Sequence, residues 1–554
     1  MRRDLRKLEN SCFDLLVVGG GIYGAVVFWM AAASGLKGAL IEQADFGHAT
    51  SANSQKIIHG GLRYLQTMDI TRLWQSLRER NRLMRLAPHL VHPLRCTMPL
   101  HGRGTRGKEA FAVASLLYNS VANLFYAHAK QPVKLPGASL IGRAEFLDLF
   151  PELNQRRHAG AAAWYEGICQ NTERLVLSFI KSADRSGGIA ANYVKALKYR
   201  ELPDDRVAVS ARDQISNQSF EILTKRVINC TGPWYEKTFA NIDGGSVSHR
   251  QNFAVGFNLV TRQILSEHTA IGLSRPPGGG SRLFFVVPWC NKSIIGTKWL
   301  PVDTSVERYE LEEAVCSDFV NQFNRACPEA NLKMCDVERV HWGFVPCRRI
   351  IRRNETPSLS TKFRIDDAGR RKKGRIINVL GVKYTTAADV ARRALKAVFP
   401  ELRMDSYSES QLVDGEIEDF LGFRAEAIKK WKGRMDENLV ERLAIIYGTE
   451  FEKMLSEGNI RMTPEPGRHE KVAPHLLSNA QTLFAVRREM AQRLSDVVFR
   501  RTEQGSTGRP SRSSLQEIGR VLAVELDWSS TRLEREINGV NQASPAFVSQ
   551  GRSF

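Results

Sequence analysis

The chain is predicted to fold as an α/β protein with a separate helical region towards its C-terminal end, and two observations carry that expectation. The first is the run Phe13-Asp14-Leu15-Leu16-Val17-Val18-Gly19-Gly20-Gly21-Ile22-Tyr23-Gly24, followed eighteen residues later by Glu42 at the end of Leu40-Ile41-Glu42. The second is a change of texture at Asp414. Beyond it, β-branched runs give way to charged, helix-patterned sequence as far as about Asp527.

The first observation reads as a strand, a glycine turn, a helix and a second strand ending in a carboxylate. Gly19 permits the tight turn, Gly21 lets the backbone approach a pyrophosphate, and Gly24 lets the helix pack close to the strand. The helix N-terminus then offers free N–H groups to phosphates, and Glu42 stands where it can accept hydrogen bonds from a ribose. Three spaced glycines alone are weak evidence. With the apolar run before them and the acid after them, they define a dinucleotide site. Leu15 to Leu36 also contains no charged residue, which is long enough for a membrane span. Three consecutive glycines in its middle argue against a stable helix there, and a span leaves Glu42 unexplained.

A chain of 554 residues has room for two or three domains, and 43% hydrophobic with 25% charged residues excludes a disordered protein. Met1-Arg2-Arg3-Asp4-Leu5-Arg6-Lys7 is not followed by an apolar core with a cleavage site, so no secretory leader is expected. The nine cysteines are scattered without a CxxC pair, which points to a reducing compartment and to neither a disulfide framework nor a metal site. The net charge of +20 invites a nucleic acid, an anionic lipid or a phosphorylated substrate. No nucleic-acid recognition motif accompanies it, so nucleic acid is not an expected partner. The basic run Gly369 to Arg375, bracketed by glycines between strand-like stretches, reads as a solvated hairpin tip.

Along the chain, a polar stretch from Thr50 to Gly61 precedes a helical pattern from Thr71 to Leu86. A basic loop (Arg103 to Lys108), an apolar helix (Phe111 to Phe125) and a helix over 174–186 come next. Strands are expected at Ile189 to Tyr199, up to Cys230, and as a pair within Leu283 to Ile295. The cofactor-binding unit is thus assembled from separated segments with substrate-domain strands inserted between them. The cofactor segments are placed at 11–95, 160–235 and 340–400 and the substrate segments at 96–159 and 236–339. Together they form an oxidoreductase region over 11–400, with a helical domain over 410–530 and a loose tail over 531–554. Any site should lie where the two domains meet.

Several stretches together resemble the FAD-dependent, respiratory glycerol-3-phosphate dehydrogenases and their oxidase relatives. They are Gly19 to Ala25, Thr50-Ser51-Ala52-Asn53-Ser54-Gln55-Lys56-Ile57-Ile58-His59-Gly60-Gly61-Leu62-Arg63-Tyr64-Leu65, Ala87-Pro88-His89-Leu90 and Asn229-Cys230-Thr231-Gly232-Pro233-Trp234. Val287-Pro288-Trp289, Ile294-Ile295-Gly296-Thr297, Gly381-Val382-Lys383-Tyr384-Thr385-Thr386, Tyr447-Gly448 and Phe499-Arg500-Arg501-Thr502-Glu503-Gln504-Gly505 complete the set. The likeness runs in order from about residue 11 to 510. It implies a two-domain flavoprotein of the glutathione-reductase and D-amino-acid-oxidase type with a C-terminal helical domain. It also implies an FAD cofactor, oxidation of a secondary alcohol to a ketone with hydride passing to flavin N5, and electrons passing on to quinone or oxygen.

The resemblance assigns roles residue by residue. Ser51, Ser54 and Lys56 belong to the turn that wraps the pyrophosphate and flavin. His59, Gly60 and Gly61 lie against the isoalloxazine, with His59 either taking the alcohol proton or serving as a packed structural histidine. Arg63 matches the substrate arginine, whose guanidinium suits phosphate. Val194, Thr231 and Gly232 resemble the adenine side of the FAD site. Gly381, Lys383, Tyr384 and Thr385 resemble the segment under the flavin pyrimidine, where Lys383 would stabilise negative charge.

Departures from the family cluster on the substrate side. Its Gly-Val-Arg-Pro is Gly343-Phe344-Val345-Pro346 here, its lysine-glycine-serine-histidine is Val255-Gly256-Phe257-Asn258, and its Thr-Asp is Lys298-Trp299. Arg348 and Arg349 offer positive charge from a shifted position, while Phe257 and Trp299 suit a bulkier substrate. The expected reaction is oxidation of glycerol-3-phosphate to dihydroxyacetone phosphate with quinone as acceptor. The alternative is a related flavoenzyme acting on another hydroxy or amino compound. The expected setting is cytoplasmic, with peripheral contact on the inner face of the cell membrane, on the reading that no second uncharged stretch of spanning length occurs.

Overall fold

The structure, a computed structural model, describes residues 1–100, 107–129, 132–154, 160–240, 251–274, 283–302, 306, 309–349, 357–368, 374–404, 413–415, 417–460 and 471–543. Its strands, in chain order, begin with β1 (Cys12–Val18), β2 (Gly38–Ile41), β3 (Ile57–Ile58), β4 (Val91–Pro99), β5 (Ser139–Ile141) and β6 (Ala161–Cys169). β7 (Ile189–Ala191), β8 (Val194–Glu201), β9 (Val207–Asp213), β10 (Ser219–Asn229), β11 (Asn252–Arg262) and β12 (Thr269–Ser274) follow. The last are β13 (Leu283–Trp289), β14 (Lys292–Pro301), β15 (Val337–Arg349), β16 (Ser358–Leu359), β17 (Arg364–Asp367) and β18 (Ile376–Leu380).

The first sheet runs β17-β18-β10-β1-β2-β7, with β9 paired to β10 and β8 to β9. β1 lies between β2 and β10, parallel to both, so its apolar run is covered on each face and reads as nearly continuous hydrophobicity. The helix Ile22–Ala33 packs on it and against the helices Thr172–Arg185 and Ala387–Val398. Ten of that helix's residues are buried, which is why it carries no charge. The uncharged run Leu15 to Leu36 is therefore a buried strand, turn and helix.

The second sheet runs β16-β15-β11-β14-β13-β12-β4-β6-β3, with β5 on β6. One face packs on the helix Glu313–Ala326 through Phe257, Phe284, Phe319 and Phe323. On the other face Trp164, Trp289 and Ile294 meet the helix Lys108–His128 through Phe125. The C-terminal region is built from the helices Phe420–Trp431, Glu437–Tyr447, Phe451–Glu457, Pro474–Glu489, Arg512–Glu525 and Ser530–Ala543.

The structure corrects four expectations. β4, β6 and β15 belong to the second sheet, so residues 91–95, 161–169 and 340–349 leave the cofactor segments and join the substrate side. The strand expected over Ile189 to Tyr199 is two strands, broken at Asn192-Tyr193, where Tyr193 has φ +56°. Much of the expected loose tail is the helix Ser530–Ala543, which buries Ile537 and Val540. Finally, Lys108–His128 is a second stretch long and apolar enough, by length and composition, to cross a membrane, with only 22% of its most apolar window buried. β17 and β18 pair antiparallel, as the hairpin reading requires; its tip, residues 369–373, lies outside the described residues, as do 103–106 of the basic loop and residues 544–554.

Candidate active site

The glycine turn sits at the carboxyl ends of β1, β2 and β10, where open parallel sheets bind ligands. Gly19 has φ +107°, and a Cβ there would stand 2.7 Å from the carbonyl oxygen of Cys230. A Cβ at Gly24 would overlap the carbonyl oxygen of Gly19, so strand and helix could not approach with any side chain in that place. Gly21 is the N-cap of the helix Ile22–Ala33, and the Ser51 hydroxyl oxygen accepts the Ile22 N–H at 3.0 Å.

Glu42 is buried and accepts the N–H groups of Gly20 (2.6 Å) and Ala44 (2.9 Å). Each carboxylate oxygen keeps a lone pair for a further donor such as a ribose hydroxyl. Val194 donates its N–H to the Glu42 carbonyl at 2.7 Å. Cys230 donates to the Val18 carbonyl at 2.7 Å, which brings Thr231 and Gly232 beside the turn. Residues spread over more than two hundred positions thus converge on one sheet edge.

A second group of loops meets this one through Tyr23. Its hydroxyl donates to the Lys383 carbonyl at 2.5 Å and accepts the Lys383 N–H at 3.0 Å. Gly381 lies against the same ring. Tyr23 was not among the expected site residues; its only signal was an aromatic inside the glycine motif. Thr385 is buried at the start of the helix Ala387–Val398. The Tyr384 hydroxyl donates to the Thr172 carbonyl at 2.9 Å, which ties that side chain to the protein.

On the other wall, Gly60 donates its N–H to the Glu166 carboxylate, and Arg80 donates to the Tyr165 carbonyl at 2.7 Å. Both partners were missed by sequence reading, because they come from a distant strand and helix. Gly61, at φ +92°, turns the chain into the 3-10 turn Leu62–Thr67 that carries Arg63 and Tyr64. The Lys383 ammonium lies 4.2 Å from the centre of the Tyr64 ring.

His59, Arg63 and Lys383 therefore share one cleft. Among the described residues neither Arg63 nor Lys383 has a carboxylate partner. Burial, reinforced by the Arg63 charge, lowers the Lys383 ammonium from its ordinary 10.5 to about 8. His59 keeps a face open to the cleft while protein crowds the rest of the ring. Crowding lowers its pKa below the ordinary 6.5; Glu166 opposes that shift, and the charges of Lys383, Arg63 and Arg80 add to it. An uncompensated cluster of cations in a cleft is a site for an anion.

Two assigned roles need correction. The Lys56 ammonium is not directed at an anionic cofactor: it is fully buried against Glu173 (2.8 Å), Thr172 Oγ1 (2.7 Å) and the Ala52 carbonyl (2.8 Å). Its charge is consumed inside the protein, where leaving Glu173 alone would be costly. Ser54 beside it accepts the Lys56 N–H at 3.1 Å and shapes the turn. Arg348 does not replace the missing arginine: it is exposed and bonded to Thr361, and alternation along β15 puts it on the opposite face from Val345. Arg349's side chain lies outside the described residues.

On the second sheet, β11, β14 and β15 carry Gly256, Asn258, Thr297, Trp299, Gly343 and Val345 on one face, where a Cβ at Gly343 would meet Thr50. Thr297 donates its hydroxyl to Asn258 Oδ1 at 2.7 Å, and the Trp299 ring covers Gly256. Lys298 is spent on Asp318 at 2.8 Å. These positions offer an amide, a hydroxyl and an indole.

A glycine turn at the switch of a sheet with a parallel centre, beside a second, mainly antiparallel sheet, defines a two-domain dinucleotide-binding oxidoreductase. Residues 14–382 of the chain match the family of FAD dependent oxidoreductases, and residues 387–533 match the C-terminal domain of alpha-glycerophosphate oxidase. The first match spans more than half of the chain, which therefore belongs to the FAD dependent oxidoreductase family. It is 28% identical to a glycerol-3-phosphate dehydrogenase of Synechocystis over 97% of each chain. It is 32% identical to an alpha-glycerophosphate oxidase of Streptococcus pyogenes over 62% of this chain and 56% of that one. The fold matches the crystal structure of the glycerol-3-phosphate dehydrogenase from Bacillus halodurans complexed with FAD, with a TM-score of 0.75, 22% identity and coverage of 99% and 97%. The expected fold class and the FAD cofactor are borne out.

Proposed function

We propose that this enzyme oxidises glycerol-3-phosphate to dihydroxyacetone phosphate and passes the electrons to a quinone. The observation that carries the reading is the pair of cations Arg63 and Lys383, without a carboxylate partner among the described residues, beside a neutral His59. The names of the relatives support the same substrate.

The residues present fit FAD, because the cradle at Gly19 and Gly24 admits no side chain, so that a diphosphate can approach the N-terminus of the helix Ile22–Ala33, whose first N–H is held by Ser51. Gly21 and Ser51 would hold the diphosphate, Glu42, Val194, Thr231 and Gly232 the adenosine end, and Ser54, Gly60, Gly61 and residues 381–385 the flavin end. When bound, FAD supplies the acceptor for the hydride of the substrate's carbinol carbon. The chain's own contribution is to orient and neutralise: Arg63 grips phosphate oxygens and Lys383 adds a second positive charge. His59, held neutral at pH 7, takes the hydroxyl proton on a ring nitrogen.

Anaerobic mixing of the flavin-loaded protein with glycerol-3-phosphate tests this directly, by loss of the oxidised flavin absorbance. Bleaching within a turnover time is the expected result. If dithionite bleaches the flavin but glycerol-3-phosphate does not, the reading fails. The wall of Asn258, Trp299 and Val345 would then belong to another hydroxy or amino compound.

An exposed apolar surface supports our reading of the acceptor and the setting. Six large apolar side chains are exposed on adjoining elements: Met68 (65%), Ile70, Val113 (68%), Leu116 (68%), Leu124 (54%) and Leu140. Lys108 and Lys134 are exposed beside them. In our reading this face rests on the anionic inner surface of the cell membrane, with the helix Lys108–His128 lying flat and its Tyr118 and Phe125 side held by the protein. Flotation with phosphatidylglycerol vesicles should carry the protein, and Leu116→Asp should abolish it. Equal flotation of the variant would refute the membrane face.

A further inference from the structure

The sequence motif Phe499-Arg500-Arg501-Thr502 lies far from the substrate cleft in the helical C-terminal region, and the chemistry above makes no use of it. In the structure it reaches the cofactor edge of the first sheet. Asp45, three residues beyond Glu42, is fully buried. Its carboxylate accepts Arg500 Nε at 2.6 Å, Arg501 Nη1 and Nη2 both at 2.8 Å, and Asn192 Nδ2 at 2.9 Å. Arg501 also donates to the Glu489 carbonyl at 2.9 Å, so its fork is held on both sides. Burial by itself would raise the Asp45 pKa, but the charges of Arg501 and Arg500 hold it well below the usual carboxylate range.

A second strap runs alongside. Tyr193 donates its N–H to the Ala44 carbonyl at 2.9 Å, and its hydroxyl donates to Asp496 Oδ1 at 2.6 Å. Arg500 Nη2 joins the same Asp496 oxygen at 2.7 Å. The C-terminal turn over 494–501 therefore grips Asp45 and Tyr193. These flank the two groups, Glu42 and Val194, that offer polar atoms to the adenosine end of a dinucleotide. The segment 42–47 also backs the glycine turn: Gly47 donates to the Gly20 carbonyl at 2.9 Å.

We infer that the C-terminal helical region is part of the cofactor site, with Arg500 and Arg501 as positioning residues that hold the Glu42–Asp45 and Tyr193–Val194 backbones in the geometry that binds the adenosine end of FAD. The inference rests on the FAD fit and is independent of the substrate reading. Charge-assisted, bidentate bonds in a buried setting are strong and directional, which suits them to fixing a loop. Among the described residues, the cations bonded to Asp45 come from more than four hundred and fifty positions away.

The test uses the full chain stripped of flavin and titrated separately with FAD, ADP and FMN. Asp45→Asn keeps the shape and removes the charge that the two arginines share. It should raise the dissociation constants of FAD and of ADP together by about tenfold or more and leave that of FMN within twofold, because the flavin end is held elsewhere. Tyr193→Phe cuts the second strap without unpairing any charge, and should shift FAD and ADP in the same direction by a few-fold. It decides the matter should Asp45→Asn not fold. Unchanged FAD and ADP constants in Tyr193→Phe and in folded Asp45→Asn would overturn the inference. So would equal weakening of all three ligands with a lowered melting temperature, which is the mark of a merely structural contact.

Discussion

Lys383→Met should make the protein more stable and a poorer enzyme at once. Lys383 is a cation whose charge the fold visibly opposes: its ammonium is held at about 8 against an ordinary 10.5. At about 1.4 kcal/mol per pH unit, that gap amounts to about 3 kcal/mol. The side chain is only partly buried, so solvent screening reduces the usable figure to roughly 1–2 kcal/mol. The sign is definite. A lysine depressed in the folded state carries its full penalty below pH 8, and the penalty fades as pH rises from about 8 to 10.5. Methionine fills the same volume without the charge, so the variant should melt at a higher temperature than the parent at pH 7. The parent's gain in stability between pH 8 and 10.5 should be missing from it. Losing one charge-assisted contact to a phosphate costs about 1.5–3 kcal/mol, so the KM for glycerol-3-phosphate should rise by roughly ten- to a hundredfold. Thermal melts across that pH range and steady-state kinetics under one buffer set are sufficient. A variant no more stable than the parent, with an unaltered KM, would show that Lys383 neither strains the site nor meets an anion.

Further outcomes follow from the same geometry. Turnover should be bell-shaped in pH: the acid limb lies below 6.5, where His59 protonates, and the alkaline limb is near 8, where Lys383 loses its charge; a log kcat/KM flat from pH 5 to 9 would refute both roles. Gly24→Ala places a methyl on the Gly19 carbonyl, so the purified protein should carry less than about a tenth of the parent's flavin, read as the ratio of flavin to protein absorbance. Lys56→Met leaves Glu173 buried without its cation and should cost about 3–5 kcal/mol; Lys56→Met combined with Glu173→Gln should recover most of the lost melting temperature, which a cofactor-binding lysine would not permit.

Part of this protein is legible one residue at a time. The glycine spacing and Glu42 are determined locally, because a turn of three residues and the helix that follows depend on backbone freedom over a dozen positions. The helical C-terminal region and its amphipathic texture are local as well. Arg63 and Lys383 stood out because they sit in motifs whose neighbours are so specific. What the chain alone could not decide was where each charge is spent. Lys56 and Lys383 look alike in sequence, each a single lysine inside a motif that carries the family resemblance. Only the fold sends the first to Glu173, 117 positions away, and leaves the second facing Tyr64 with no acid beside it among the described residues. The same holds for Tyr23, Glu166 and the Asp45–Arg501 contact, whose partners are distant along the chain and carry no periodic signal. The electrostatic state of a side chain depends on which groups share its low-dielectric surroundings, and that is a property of three-dimensional packing and not of spacing.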